Sequence, residues 1–408
     1  MKKAFCFILS AIFFFNICVV DVEAIGGEEN VNVDNNVMST KTTELPVEIK
    51  AKSAILMDVE TGTVLLEYNA DEKLFPASVT KIMTILLVAE AINDNRITLA
   101  DSVTCSENAA SKGGSQIWLE PGESMTVDEL LRATVIGSAN DAATLLGEYV
   151  SGSETAFISL MNERAGELGM VNTHFVNATG LDDTTDDHLT TARDIAIMSR
   201  ELLKYDFIRK YTTVWMDTLR DGKTELVNTN KLVRFYDGTT GLKTGTTTKA
   251  GCCVSASAER DGLHLVAVVM GSDNSDDRFN TAKAMLDYGF STYTLFTPSV
   301  DMSLVRPVPV KGGRCDVSAV SFSGVEPILI RKGQEKEVVV SVDMCEDVEA
   351  PVIKGQTLGT VNISLGNDVL STYSVTASSD IEKLSLFDSF LKVVNYISNG
   401  DISYPDFL

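Results

Sequence analysis

Histidine is scarce in this 408-residue chain: His174, His188 and His264 are the only three, and none stands at metal-ligand spacing from another histidine or a cysteine. That removes the usual donors of a zinc site, and it leaves a serine nucleophile without a convincing histidine base. Glycine-rich phosphate loops of the Walker or dinucleotide type are missing, and with them the usual sign of nucleotide chemistry. Basic clusters are missing too. The formal net charge is −23, which excludes phosphate neutralisation on nucleic acid and simple electrostatic docking on anionic lipid. No metal, no cofactor and no nucleic-acid partner are expected.

Cysteine gives no disulfide framework. Cys6 and Cys18 fall in the N-terminal apolar run, and the five that remain (Cys105, Cys252, Cys253, Cys315, Cys345) are odd in number and widely spread. Cys252 and Cys253 are adjacent, and neighbours on a strand point to opposite faces, so they do not pair with each other. Cys315 with Cys345, both in the C-terminal region, is the one pairing left open. Long apolar runs are equally rare. "AFCFILSAIFFFNICVV" follows the basic "MKK" and ends near "VEA" at Ala24, the pattern of a secretory signal over residues 1–24. An uncleaved anchor is the alternative, and both readings put the protein outside the cytoplasm. Losing the segment removes Lys2, Lys3, Asp21 and Glu23, so the charge stays at −23.

What is present is ordinary globular material, 44% hydrophobic and 22% charged, at a length that implies two or more domains. Residues 25–45 are polar and irregular and read as a flexible leader. "SAILMDVETGTVLLEYNAD" reads as a hairpin around a Thr-Gly turn. Helical patterns follow over 77–93, on both sides of "GSAN", over "ETAFISLMNERAGELGM" with a stop at Gly169, and from about Thr191 to Tyr205. Then "GLKTGTT", "GCCVSASAERDG" and "LHLVAVVMGS" read as strands, with "ERDG" as a turn, and "DRFNTAKAMLDYGF" as a closing helix. Strands at both ends of a helical middle predict an α+β domain over 46–296 whose sheet joins the two ends. Short β-rich runs over 297–377 predict a small all-β domain. The tail, 378–408, sets Leu384, Phe387, Leu391 and Val394 on one helical face, with Phe390 and Ile397 beside it. Such a face suits peripheral membrane contact through residues 379–397, or packing on the chain's own β domain.

Chemistry enters through "PASVTKIMT", Pro76 to Thr84. Residues three apart share a helical face, so Ser78 and Lys81 can meet; an N-cap serine with a solvated lysine is the plainer reading of this stretch alone. A lysine serves as a base when burial or a second cation lowers its pKa, which directs attention to further polar motifs. Ser-x-x-Lys recurs at Ser389, and Ser-x-Asn begins at Ser106, Ser138 and Ser272, while Lys-Thr-Gly occurs once, at Lys243. Only Ser78, Ser138 and Lys243 combine the right order with the right context: a helix start, a helix break, then a strand. That ordered set marks class A β-lactamases and penicillin-binding proteins.

The chain resembles the low-molecular-weight penicillin-binding proteins that act as serine-type D-alanyl-D-alanine carboxypeptidases. "LFPASVTKIMT", "IGSANDAA", "MNERAGELGM", "LTTARDIA", "YDGTTGLKTGTTTKAGCCVSASAERDG" and "AMLDYGF" look like family segments in family order, across roughly residues 50–290. The resemblance implies a β-lactamase/transpeptidase-like domain, an antiparallel sheet flanked by helices with a helical subdomain, followed by a β-rich accessory domain and a membrane-associating tail. It implies stem peptides of peptidoglycan ending in D-Ala-D-Ala as substrate, and β-lactams as covalent inhibitors. By the same resemblance Ser78 is the nucleophile and Lys81 its base. Ser138 would relay a proton to the leaving D-alanine, and Asn140 would hold Lys81 and the substrate amide. Lys243 would supply positive field, Thr244 would bind the terminal carboxylate beside Gly245, and the N–H groups of Ser78 and Thr246 would form the oxyanion hole.

Two positions depart from the pattern. Thr246 stands where some relatives have histidine, and Thr229 where some have a carboxylate-binding arginine; Arg234 is a distant substitute, and both Thr229 and Arg234 also read as loop surface. A class A β-lactamase would need an acid between Ser138 and Lys243. Glu148, Glu154, Glu163 and Glu167 lie there on or beside amphipathic helices, without the flanking Leu-Asn of that class. A non-hydrolytic β-lactam sensor is the reading from another functional class.

Overall fold

The computed structural model describes residues 45–398. The expected signal segment over 1–24, the expected leader up to residue 44 and the end of the tail lie outside the described residues.

Two strands open the fold, β1 (Ser53–Asp58) and β2 (Val64–Tyr68), as the hairpin expected. A tight 3-10 turn, Ala77–Thr80, leads into α1 (Lys81–Asn93). This helix is apolar on every side, so it belongs inside, and nearly every residue of it is buried. Each buried Leu or Ile of α1 contributes about 2 kcal/mol by leaving water. Then come α2 (Val127–Val135), α3 (Asn140–Ser151), α4 (Glu154–Glu167) and α5 (Ala192–Leu203). A reciprocal cap starts α2, where the Thr126 hydroxyl takes the Glu129 N–H and the Glu129 carboxylate takes the Thr126 N–H. The expected break falls between α2 and α3, and α3 begins on Asn140 itself.

The chain returns to the sheet with β3 (Thr239–Thr247), β4 (Gly251–Arg260) and β5 (Leu263–Ser272), then closes with α6 (Ser275–Thr292). Asp261 and Gly262 both have positive φ, 51° and 80°, which suits the two-residue turn joining β4 to β5. The sheet runs β2-β1-β5-β4-β3, antiparallel throughout. Because β1 pairs with β5, the first and last strands of this part are neighbours, as the pattern implied. Side chains alternate between two cores. Ile55, Met57, Val266, Val268 and Met270 join the helical side, while Ala54, Leu56, Leu265, Ala267 and Val269 pack with Phe279, Met285 and Leu286 of α6.

Beyond α6 the strand Tyr293–Phe296 pairs with Ile328–Arg331. A four-stranded sheet follows, built on Val338–Met344, Thr357–Leu365 and Asp368–Ala377 with the short strand Val320–Ser321 at its far edge, beside a three-stranded one. Ile381 is buried here and bridges to Val352, so the first residues of the tail belong to this β part. The last helix, α7 (Leu386–Ser398), touches it through Asp388 and Arg314 but leaves its apolar side chains open. Phe387 is 68% exposed and Ile397 73%. Cys315 and Cys345 are both exposed and unbonded, so the pairing left open by the sequence is not formed. Cys252 and Cys253 are free and point apart as expected: the Cys252 thiol lies against Thr246, and the Cys253 thiol reaches the carbonyls of Phe75 and Ala250.

Candidate active site

The 3-10 turn at Ala77–Thr80 presents Ser78, and α1 starts three residues on with Lys81, so the spacing read from sequence becomes contact. Lys81 Nζ lies 3.0 Å from Ser78 Oγ, 2.5 Å from Asn140 Oδ1 and 3.0 Å from the Thr179 carbonyl oxygen. The lysine is wholly buried. Burial holds its pKa well below the ordinary lysine value, the charge of Lys243 lowers it further, and the Asp141 carboxylate partly opposes both.

Asn140 is fixed at both ends of its amide. Its Oδ1 faces Lys81, its Nδ2 donates to the Gly113 carbonyl at 2.6 Å, and its backbone N–H donates to the Ser115 carbonyl at 2.7 Å. Ser138 is buried, has φ of 60°, and makes no side-chain hydrogen bond among the described residues. Ala77, next to Ser78, also has positive φ, 49°. Two β-carbon-bearing residues in the left-handed region, each in or beside a motif, are strain of the kind that collects at functional sites.

From the third motif, Lys243 is buried, and burial together with Arg278 lowers its pKa to about 7. Its ammonium reaches the Thr244 carbonyl at 3.2 Å. The Thr244 hydroxyl donates to the Thr229 hydroxyl at 2.7 Å. Thr229 is therefore more than loop surface, whereas Arg234 stacks on Trp215 and Phe235 and reaches no motif residue. Gly245 explains its own identity. A β-carbon there would sit 2.7 Å from the Ser78 nitrogen and 2.8 Å from the Pro76 carbonyl oxygen, so only glycine lets β3 pass so close to the serine turn. Thr246 follows at the exposed end of the same strand segment. The three motifs thus converge. The four glutamates of the intervening helices do not join them: Glu148 accepts from Ser106 and Asn108, Glu154 pairs with Lys112 at 2.6 Å, Glu163 is exposed on α4, and Glu167 pairs with Arg164.

Several site residues were not read from the sequence. Arg278 of α6 is buried and donates to the Gly245 carbonyl at 3.0 Å, the Thr246 hydroxyl at 3.0 Å and the Cys253 carbonyl at 3.2 Å, bracing β3 from behind. An arginine on the helix face that otherwise buries Phe279, Ala282, Met285 and Leu286 was the available signal. Asp141 is buried and accepts the N–H groups of Ile117 and Leu119 at 3.2 and 3.0 Å. Thr179 acts through its carbonyl, which carries no signature in sequence. Its neighbour Gly180 has φ of 87°, and a β-carbon there would meet the Ala77 carbonyl oxygen at 1.7 Å. Beneath the site His188 accepts the Val176 N–H on Nδ1, so its Nε2–H donates to the Thr80 hydroxyl at 2.8 Å. Burial lowers its pKa to about 4, and it stays neutral.

The chain is similar to known proteins over most of its length. Residues 39–274 match the Peptidase S11 family, D-alanyl-D-alanine carboxypeptidase, and residues 293–383 match the penicillin-binding protein 5 C-terminal domain. The D-alanyl-D-alanine carboxypeptidase DacF of Bacillus subtilis (strain 168) is 44% identical over 86% of this chain and 90% of its own. DacC of Escherichia coli (strain K12) is 34% identical over 85% of this chain and 88% of its own. Among solved structures, penicillin-binding protein 5 from Haemophilus influenzae superposes with a TM-score of 0.73 at 28% identity, over 83% of this chain and 99% of that one. Penicillin-binding protein D2 from Listeria monocytogenes, in an ampicillin-bound form, covers 60% of this chain and 99% of its own at a TM-score of 0.55 and 31% identity. The chain belongs to the D-alanyl-D-alanine carboxypeptidase family, peptidase family S11.

Proposed function

We propose that this carboxypeptidase removes the terminal D-alanine of peptidoglycan stem peptides through an acyl-enzyme at Ser78, with Lys81 as base. One observation carries the assignment: the buried Lys81 amine has three neighbours, and two of them can only accept hydrogen bonds. A neutral amine gives its two N–H groups to Asn140 Oδ1 and the Thr179 carbonyl and keeps its lone pair for the Ser78 O–H. Ser78 Oγ attacks the carbonyl carbon of the penultimate D-alanine as its proton passes to Lys81. The oxyanion collects on the N–H groups of Ser78 and Thr246, and each such donor is worth about 3 kcal/mol in the transition state. Ser138, buried and free of other hydrogen bonds among the described residues, passes a proton to the leaving amine. Thr244 takes the terminal carboxylate, Gly245 lets β3 lie against the Ser78 turn so that the strand lines the substrate, and Lys243 adds positive field. Water then releases the acyl group. β-Lactams acylate the same serine, in keeping with the ampicillin-bound relative.

The test is D-alanine release from a peptide ending in Lys-D-Ala-D-Ala. Release lost in Ser78→Ala, with its folded spectrum kept, supports the assignment. Stable penicillin labelling of the unmutated protein without any release would favour the sensor reading instead.

The division into a catalytic part over 46–296, an accessory part over 297–377 and a tail belongs to the same reading, as does work outside the cytoplasm. No helix among the described residues is long and apolar enough to cross a membrane. The exposed apolar side chains of α7 support peripheral contact instead. Deleting residues 386–408 spares buried Ile381; equal pelleting with liposomes before and after that cut would sink the contact.

A further inference from the structure

Trp118 is the most exposed aromatic side chain among the described residues, at 76%. Its φ is 60°, a region in which a β-carbon clashes with its own backbone. Glycine or asparagine would occupy that backbone more easily, and a polar side chain would spare the indole its contact with water. Yet the backbone here is clamped from both sides. The N–H groups of Ile117 and Leu119 end on the buried Asp141 carboxylate. Arg220 donates to the Ile117 carbonyl at 2.7 Å and the Trp118 carbonyl at 3.4 Å, and is itself held by Glu123 at 2.7 Å. Ile117 and Leu119 point into the core, and Trp118 alone points out. At 76% exposure the indole adds little to the core, while a clamped backbone of unfavourable φ holds it outward beside the motif segment.

The location narrows the choice. Residues 113–119 form the segment that braces Asn140, the partner of Lys81, through the Gly113 and Ser115 carbonyls. We infer that Trp118 is a platform for a pyranose ring of the glycan that carries the stem peptide, so that the enzyme prefers saccharide-linked substrate to free peptide. This rests on the carboxypeptidase reading above. A pyranose face carrying axial C–H bonds is weakly positive and apolar, and it matches the electron-rich face of an indole. The clamped backbone fixes where the side chain leaves the chain, so only its own torsions remain to be ordered on binding. A chain of net charge −23 offers little to an anionic polymer, whereas stacking on a ring face needs no charge.

The experiment compares mature protein with Trp118→Ala and Trp118→Phe on two substrates: a pentapeptide ending in D-Ala-D-Ala, and the same pentapeptide on an N-acetylglucosaminyl-N-acetylmuramyl disaccharide. For Trp118→Ala, kcat/KM on free pentapeptide is expected to hold, and on the disaccharide form to fall about tenfold, mainly through KM. Trp118→Phe should recover most of the loss. Equal loss on both substrates, or none on either, overturns the inference. A second readout does not depend on turnover. Titration with the disaccharide alone should change tryptophan emission in the unmutated protein and leave Trp118→Phe, which keeps Trp215, unchanged. If no protein releases D-alanine but this emission change persists, the carboxypeptidase reading fails while the platform stands; no emission change in the unmutated protein overturns the platform itself.

Discussion

The two parts of the described chain bury different things. Up to the end of α6 the interior holds Lys81, Lys243, Arg278, Asp58, Asp141, Asp182, Asp194, His188 and His264; after it, Ser318 is the one polar residue among the buried side chains described. The catalytic part spends stability on buried charge, since each such group must be desolvated and then partnered. The accessory β part keeps its ion pairs at the surface, as in Lys311 with Asp347 and Arg314 with Glu382, and its core is small, Val308, Val310, Leu358 and a few neighbours. Buried ionisable groups and the chemistry therefore lie on the same side of this divide, and each substitution below tests it.

The largest effect should come from Lys81. Lys81→Ala removes the base while leaving Ser78 and the oxyanion donors in place, so penicillin acylation and D-alanine release are both expected to fall about 10²- to 10⁴-fold. Stopped-time labelling with a fluorescent penicillin measures the first, and an amino-acid oxidase assay the second. A loss below about fivefold would mean another group takes the proton, and the plainer reading of Ser78 and Lys81 would return.

Lys243 tests the cost of buried charge directly. A lysine in the unfolded chain titrates near 10.4, and burial with Arg278 brings Lys243 to about 7. Between those values the unfolded chain holds the extra proton, so stability rises with pH across that window, and below about pH 7 the penalty is full. Lys243→Met removes the penalty. It is expected to be more stable than the unmutated protein at pH 7, on the order of a few kcal/mol, with the difference shrinking by pH 10. Urea unfolding at both values checks it, and a constant difference across pH would break the account.

This division explains what could be read in the sequence. The sheet and helices followed from alternation, helical spacing and caps, because the cores enforce those periods: Ile55 against Leu56 on β1, Thr126 with Glu129 at α2. The motif residues were legible because side-chain chemistry fixes their identity, and Gly245 because close approach allows no alternative. Arg278, Asp141 and Thr179 were not legible. Two of them act through long-range burial, and the third offers a carbonyl that any residue would supply. The tail was legible as an apolar face, but whether that face packs inward or stays open depends on the neighbouring sheets, which periodicity does not describe.

Within the accessory part the core should matter and the surface should not. Leu358→Ala empties a fully buried position in the four-stranded sheet and is expected to cost about 2–5 kcal/mol. D-alanine release from a soluble peptide should remain, since no motif residue touches that core. Calorimetry should then show the accessory part melting ahead of the catalytic part. A single transition with activity lost alongside would mean that the two parts stabilise each other through the strand pair Tyr293–Phe296 with Ile328–Arg331.

The smallest effect belongs to Arg314, which pairs with Glu382 at 2.9 Å and Asp388 at 3.2 Å where the β part meets α7. All three side chains are solvated, and solvated pairs are screened by water and salt while the long side chains lose freedom to hold them. Arg314→Ala should therefore leave the melting temperature unresolved from that of the unmutated protein, in low salt and in high. If instead it lowers the melting temperature and weakens liposome binding together, this pair does more than decorate the surface: it sets the direction in which α7 leaves the sheet, and the accessory part would use charge for placement much as the catalytic part uses it for chemistry.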